Sequence, residues 1–168
     1  MVESAEVKRS IAIILCAAVA AASAFFRAEG ASFPENEMRM LRTIIENNRL
    51  DREGAYMLMA IRKIENGRPG LEFGVGGPRK DHPARRYSDG VRSYYVQGNW
   101  AAGTVRKRYT GDIDAFAARY CPLHAARWAK NAKSIIRSLR ADPGVKAMLD
   151  AIEAGRAARR ARRRAPAR

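Results

Sequence analysis

Asp51-Arg52-Glu53-Gly54-Ala55-Tyr56-Met57-Leu58-Met59-Ala60-Ile61-Arg62-Lys63-Ile64-Glu65-Asn66-Gly67 carries a helix together with both of its ends. Asp51 has a short carboxylate that can accept the free N–H groups of a first helical turn. Asn66-Gly67 supplies residues that tolerate the left-handed backbone on which helices stop. Between them Tyr56, Leu58, Ile61 and Ile64 recur at helical spacing. Glu65 lies four residues after Ile61 and seven after Leu58, so it falls beside the apolar stripe. It also lies in the last turn, where the helix dipole is negative. Desolvation and the dipole both disfavour the charged carboxylate and raise its pKa. A carboxyl group that keeps its proton near neutral pH can serve as a general acid. A solvated glutamate at a helix end is the plainer alternative, and spacing leaves both open.

Upstream, Ser32-Phe33-Pro34-Glu35 fits a capping box with proline in the first turn, followed by a stripe of Met38, Leu41, Ile44 and Ile45. Asn47-Asn48 ends that helix. Downstream, glycines and prolines crowd residues 68–98, so this segment is expected to be loop, with a short hairpin around Val91–Val96. Helical spacing returns from Trp100 to Arg108, over Ile113, Phe116, Ala117 and Tyr120, and over Trp128, Ile135, Ile136 and Leu139. Asp142-Pro143-Gly144 breaks the chain and caps a last helix with Val145, Met148, Leu149 and Ile152 on one face. The expected fold class is mainly α, a single domain with one irregular loop and hairpin insertion.

The 168 residues hold 32 Lys and Arg against 17 Asp and Glu, a net charge of +15, with 47% apolar residues. That apolar share provides a core and excludes a wholly disordered chain. The charge is uneven. Residues 1–24 sum to zero, whereas residues 156–168 hold seven arginines and no acid. Residues 156–168 are expected to be a disordered, arginine-rich tail. It has three open readings: a solubilising end, a tether to anionic envelope polymers, or a nucleic-acid contact.

Lys8-Arg9, the apolar run Ile11–Ala22 and the small residues Ala22-Ser23-Ala24 have the order of an export signal. The apolar run reaches only Phe26, short of the roughly 20 residues that span a bilayer. Residues 1–24 are therefore expected to be a signal peptide, cleaved or kept as an anchor, and residues 25–155 the domain. The expected location is the periplasm, the cell envelope or the medium. Cleavage after Ala24 leaves Cys121 as the single cysteine, which cannot form an internal disulfide.

Ala60-Ile61-Arg62-Lys63-Ile64-Glu65-Asn66-Gly67, followed by Phe73-Gly74-Val75, resembles the catalytic region of lysozyme-like peptidoglycan hydrolases, including lytic transglycosylases and bacterial glucosaminidases. Tyr120-Cys121-Pro122 and Trp128-Ala129-Lys130-Asn131 resemble the carboxyl-terminal part of glucosaminidase-type domains, and Gln97-Gly98-Asn99-Trp100-Ala101-Ala102 looks like the helix start between the two blocks. The resemblance spans about residues 35–140. It departs from lytic transglycosylases at Asn66, where they usually carry serine, and in lacking their Gly-x-Met-Gln segment.

The resemblance implies a lysozyme-like fold, cleavage of the peptidoglycan glycan strand and Glu65 as its acid and base. Most glycosidases need two carboxylates. Here Glu72, Asp81 and Asp89 are available, but no motif supports any of them. The resemblance implies a single-carboxylate route instead, with the substrate's own acetamido or 6-hydroxyl group trapping the sugar cation. Tyr87, Tyr94, Tyr95 and Gln97 are the candidates for holding the sugar, the alternative being that Tyr94 and Tyr95 alternate across a strand. Cys121 and His124, spaced C-x-x-H, lack the further ligands of a usual zinc site. Gly74-Val75-Gly76-Gly77 lacks the Lys-Ser/Thr of a phosphate loop. Trp100, Trp128, Phe116, Met57 and Met59 are expected in the core. A monomer is expected, with no metal, no cofactor and no nucleic-acid partner. The rival expectations are a non-catalytic wall-binding module and a basic nucleic-acid-binding protein.

Overall fold

A computed structural model describes residues 33–76, 81–87 and 89–164. Among the described residues six α-helices, α1 (Glu35–Asn47), α2 (Arg52–Glu65), α3 (Gly90–Arg108), α4 (Ile113–Tyr120), α5 (Ala125–Ala141) and α6 (Pro143–Arg164), are joined by segments that include single 3₁₀ turns at Pro83–Arg85 and Pro122–His124. The fold is mainly helical, with no strand among the described residues. No helix among them is long and apolar enough to cross a membrane. The expected signal peptide lies outside the described residues.

α2 is the most deeply buried helix. Every residue from Gly54 to Ile61 is buried, and a helix buried on all sides must be surrounded by other elements. Its neighbours are α5 and α3. α1 packs on α3 and α6, while α4 and α6 pack on α5. The caps follow the sequence. The Gly54 N–H donates to the Asp51 carboxylate at 2.7 Å, and α2 ends on Asn66 with φ 37° and ψ 38°. α1 opens on Pro34 without a side-chain cap, later than the expected capping box. Ser32 lies outside the described residues.

The expected hairpin at Val91–Val96 is absent. That segment is the first two turns of α3, opened by Asp89, whose carboxylate accepts the Arg92 N–H at 2.9 Å. The buried positions of α3 are Ser93, Tyr94, Gln97, Gly98, Ala101, Ala102 and Val105. They recur with a helical period, but its first half is written in polar and small residues. Gly98 is small for a packing reason. A Cβ there would collide with Ile44 of α1 and stand 3.2 Å from the Phe73 ring.

The arginine-rich end also departs from expectation. Rather than a disordered tail from residue 156, α6 continues without a break to Arg164. Alanine and arginine are both strong helix formers, and arginine near a helix C-terminus complements its dipole. Arg156 ties the helix down by donating to the carbonyls of Leu50 at 2.7 Å and Ile45 at 3.2 Å. One turn earlier, Arg52 at the start of α2 bridges Asp150 and Glu153 of α6, each at 2.6 Å.

Candidate active site around Glu65

The left-handed Asn66 turns the chain out of α2, and two tight turns fold it back. The Leu71 N–H donates to the Arg68 carbonyl and the Gly74 N–H to the Leu71 carbonyl, both at 2.9 Å. Phe73 is fully buried and meets Tyr94 edge to face at 5.1 Å. This anchor brings Gly74 onto the Glu65 side chain. Gly74 has φ +65°, and a Cβ on it would overlap the carboxylate, standing 2.7 Å from Cδ and 3.0 Å from Cγ. Only glycine fits both that backbone conformation and that contact.

The opposite wall comes from α4 and α5. The buried indole of Trp128 donates its Nε1–H to Glu65 Oε1 at 3.4 Å. Tyr120 packs 5.3 Å from Trp128 and stacks on Phe116, also at 5.3 Å, and its hydroxyl donates to the Phe73 carbonyl at 2.9 Å. A buried Trp or Tyr needs a partner for its polar atom. Here those partners are the catalytic candidate and the turn that covers it.

Glu65 is half-buried, and among the described residues no ion pair engages it. Its neighbours on the helix point elsewhere. Arg62 pairs with Glu37 at 2.7 Å, and the Lys63 ammonium lies 4.3 Å from the centre of the Phe33 ring. Burial pushes the Glu65 carboxyl above its ordinary range, and the Trp128 hydrogen bond offsets part of that rise. Burial also holds the Tyr120 phenol well above its usual range, with the charge of Glu65 adding to the effect. The site therefore favours a neutral carboxyl group beside a neutral phenol.

No second carboxylate contributes to the shift at Glu65. Glu72 is buried and accepts the Gly70 N–H at 3.0 Å through one oxygen, leaving the other without a hydrogen bond. Asp89 caps α3, and Asp81 is exposed.

The four sugar-binding candidates separate. Gln97 is fully buried. Its amide nitrogen lies 2.8–3.0 Å from the carbonyls of Gly70, Val75 and Ala84, which share its two N–H donors, and its oxygen accepts the Val75 N–H at 3.1 Å. It pins the loop from inside and does not face a ligand. Tyr94 is likewise inside, donating to Glu37 at 3.0 Å under the Arg62 guanidinium. Both assignments are corrected by burial: side chains read as lying on a strand or loop occupy the inner face of α3. Tyr95 is half-buried against the core. Tyr87 is half-buried, with the Arg92 guanidinium 3.9 Å above its ring and donating to its hydroxyl at 3.0 Å.

Trp100, expected in the core, is 47% exposed and meets His82 edge on at 5.0 Å. Trp128, Phe116, Met57 and Met59 are buried as expected, but Trp128 is more than packing, since its N–H reaches Glu65. Spacing placed Trp128 on a buried stripe, and the clue to its second role was that a buried indole requires an acceptor. Gly74 was marked by the Phe73-Gly74-Val75 resemblance, but its contact with the carboxyl group could not be read from spacing. Cys121 is half-buried at the edge of the core. Comparison with known proteins finds no matching family model, no matching curated protein and no matching solved structure.

Proposed function

We propose that this protein cleaves the glycan strand of peptidoglycan from a lysozyme-like helical domain, with Glu65 as general acid and then general base. The observation that carries the proposal is the setting of Glu65. A carboxyl group at the end of a buried helix, shielded by Trp128 and by the Gly74 turn and without a cationic partner among the described residues, has its proton affinity raised by burial. General acids near neutral pH require this property.

The neutral carboxyl gives its proton to the glycosidic oxygen as the bond from that oxygen to the anomeric carbon breaks. The sugar cation is trapped by an oxygen of the substrate itself, the acetamido carbonyl or the 6-hydroxyl. In the second case the Glu65 carboxylate takes the hydroxyl proton as the new carbon–oxygen bond forms, and an anhydro sugar leaves. In the first, water opens the cyclic intermediate and Glu65 removes its proton. A route with one carboxylate agrees with the duties of the other acids: Glu72 is inside the loop and Asp89 caps a helix. Exposed Trp100, on α3 in edge contact with His82, offers an aromatic face to a sugar ring. The basic and apolar amino-terminal segment would deliver the enzyme to the envelope, where its substrate lies.

The test is Glu65→Gln, which keeps the shape of the side chain and removes the transferable proton. Wild type should clear a peptidoglycan suspension, and the variant should lose about 100- to 10,000-fold in rate while still sedimenting with walls. Equal clearing by the two proteins rejects Glu65 as the acid. Wall binding by both without any clearing identifies a binding module instead. Mass spectrometry of released fragments separates an anhydro end from a reducing end, and amino-terminal sequencing at Phe25 tests the export signal.

A further inference from the structure

The structure assigns a second, phosphate-binding site to this protein: an arginine-lined cleft between the end of α1 and the last turns of α6, for a flexible phosphodiester or polyphosphate chain. The cleft has a volume of about 600 Å³ and is lined by Glu46, Asn47, Arg49, Arg156, Arg159, Arg160 and Arg163. The four arginines of α6 are spaced i, i+3, i+4 and i+7, so they share one helix face over about 10 Å. Arg49 enters from the other side on a left-handed backbone, φ 54°.

Three features distinguish this cleft from a solvated basic surface. It is built on a fixed floor, because Arg156 is held by the Leu50 and Ile45 carbonyls. Its charge is not neutralised locally. Among the described residues Arg49, Arg159, Arg160 and Arg163 form no ion pair, and the one acid in the lining, Glu46, is paired with Arg42 at 3.4 Å. Like charges at i, i+3 and i, i+4 repel one another, and an anion in the cleft relieves that repulsion. Finally, all the cations are arginines, whose planar forked donors match phosphate oxygens two at a time.

The lining contains no aromatic ring, so unpaired bases would find nothing to stack on. The residues interleaved with these four arginines are Ala157, Ala158, Ala161 and Arg162, which give no large apolar side chain to insert into a membrane. Both facts favour a base-free, soluble chain of phosphates. The site is independent of Glu65. Arg52, which ties α2 to α6, and Glu65 are the two ends of one helix about 20 Å long.

The full-length protein would be titrated with inorganic polyphosphate across a range of salt concentrations. The probe should bind, with affinity falling log-linearly with salt. Joint replacement Arg159→Gln, Arg160→Gln, Arg163→Gln keeps the Arg156 anchor. It should reduce the salt slope by about 2 to 3 and weaken binding on the order of 100-fold at low salt. Arg106→Gln, Lys107→Gln, Arg108→Gln removes the same charge elsewhere and should cost less than about threefold. Replacing the same three α6 arginines by lysine keeps charge and helix, and should weaken binding about tenfold at nearly unchanged slope. Equal losses in the two glutamine variants, or full affinity in the lysine variant, would overturn the site. So would tighter binding of duplex DNA than of polyphosphate at equal charge, or binding only to phosphatidylglycerol vesicles. The α6 glutamine variant should retain wild-type clearing of polyanion-free peptidoglycan, so failure of this site and failure of Glu65 chemistry are distinguishable.

Discussion

Gly74→Ala tests the geometry of the proposed acid more sharply than removal of the acid itself. The added methyl carbon would overlap Glu65 Oε2 and stand 2.7 Å from the carboxyl carbon, whereas ordinary contact begins at 3.4 Å, so the carboxyl must retreat by about 1 Å. Its path is limited by Trp128 on the other side. Alanine also pays for the left-handed backbone at φ +65°, about 1–2 kcal/mol. A displacement near 1 Å in a reacting group can cost about 100-fold in rate. The variant is therefore expected to fold with a loss of about 1–2 kcal/mol and to clear peptidoglycan roughly 100-fold more slowly. The control is Gly111→Ala. Gly111 also has positive φ, +98°, but a Cβ there meets nothing within 4 Å. It should show the same backbone cost and no loss of rate. Urea unfolding and clearing rates on the two variants decide the matter. If both lose activity in proportion to stability, or if Gly74→Ala keeps full rate, then the turn does not position the carboxyl group.

Three further outcomes follow from the same environment. Trp128→Phe removes the hydrogen bond that favours ionised Glu65, so the alkaline limb of the clearing rate should move to higher pH; a shift to lower pH would contradict the arrangement. Because the folded pKa of Glu65 lies above its ordinary 4.5, the native state holds the proton more tightly than the unfolded chain. Wild-type stability should therefore fall as pH rises from about 4.5 through the raised pKa, and level off above it. Glu65→Gln lacks that loss, so its stability relative to wild type should grow across the same window in urea titrations at fixed pH steps. Gln97→Leu deletes the hydrogen bonds that pin residues 70–84. It should cost about 3 kcal/mol and make that loop a preferred site of limited proteolysis.

Helices with one apolar stripe and a recognisable cap could be read from sequence: Asp51 and Asp142 cap as expected, and Asn66 is left-handed. The start of α3 could not be read, because its inner face begins with Ser93 and Gln97. Apolar periodicity does not register a polar residue buried to satisfy a loop's backbone groups. The same blindness placed Tyr94 and Gln97 in a sugar site. The arginine end failed for another reason. Composition argues for disorder when a segment has little apolar surface to bury, but α6 is nucleated by Val145, Leu149 and Ile152 and inherits its helix from them. Glu65 was legible because its own helix sets its depth. The rest of its surroundings, Gly74 nine residues on and Trp128 another 54 beyond, come together only in three dimensions.

The physical origins of the two proposed sites make them separable by salt. The raised proton affinity of Glu65 comes from loss of water, with no neighbouring like charge. Ions in solution screen exposed charges over a Debye length of about 8 Å at physiological strength, but act little on burial. The arginine cleft is the opposite case, since its affinity for phosphates is counterion release. Cleavage of a short, uncharged glycan oligomer should therefore keep its rate and pH profile between about 50 and 200 mM salt, one Debye regime to the next. Cleavage of whole walls that retain phosphate polymers should slow over that range, and the α6 arginine-to-glutamine variant should reduce this sensitivity. If oligomer cleavage itself shows the salt dependence, a charge outside the described contacts tunes Glu65, and burial is not what holds its proton.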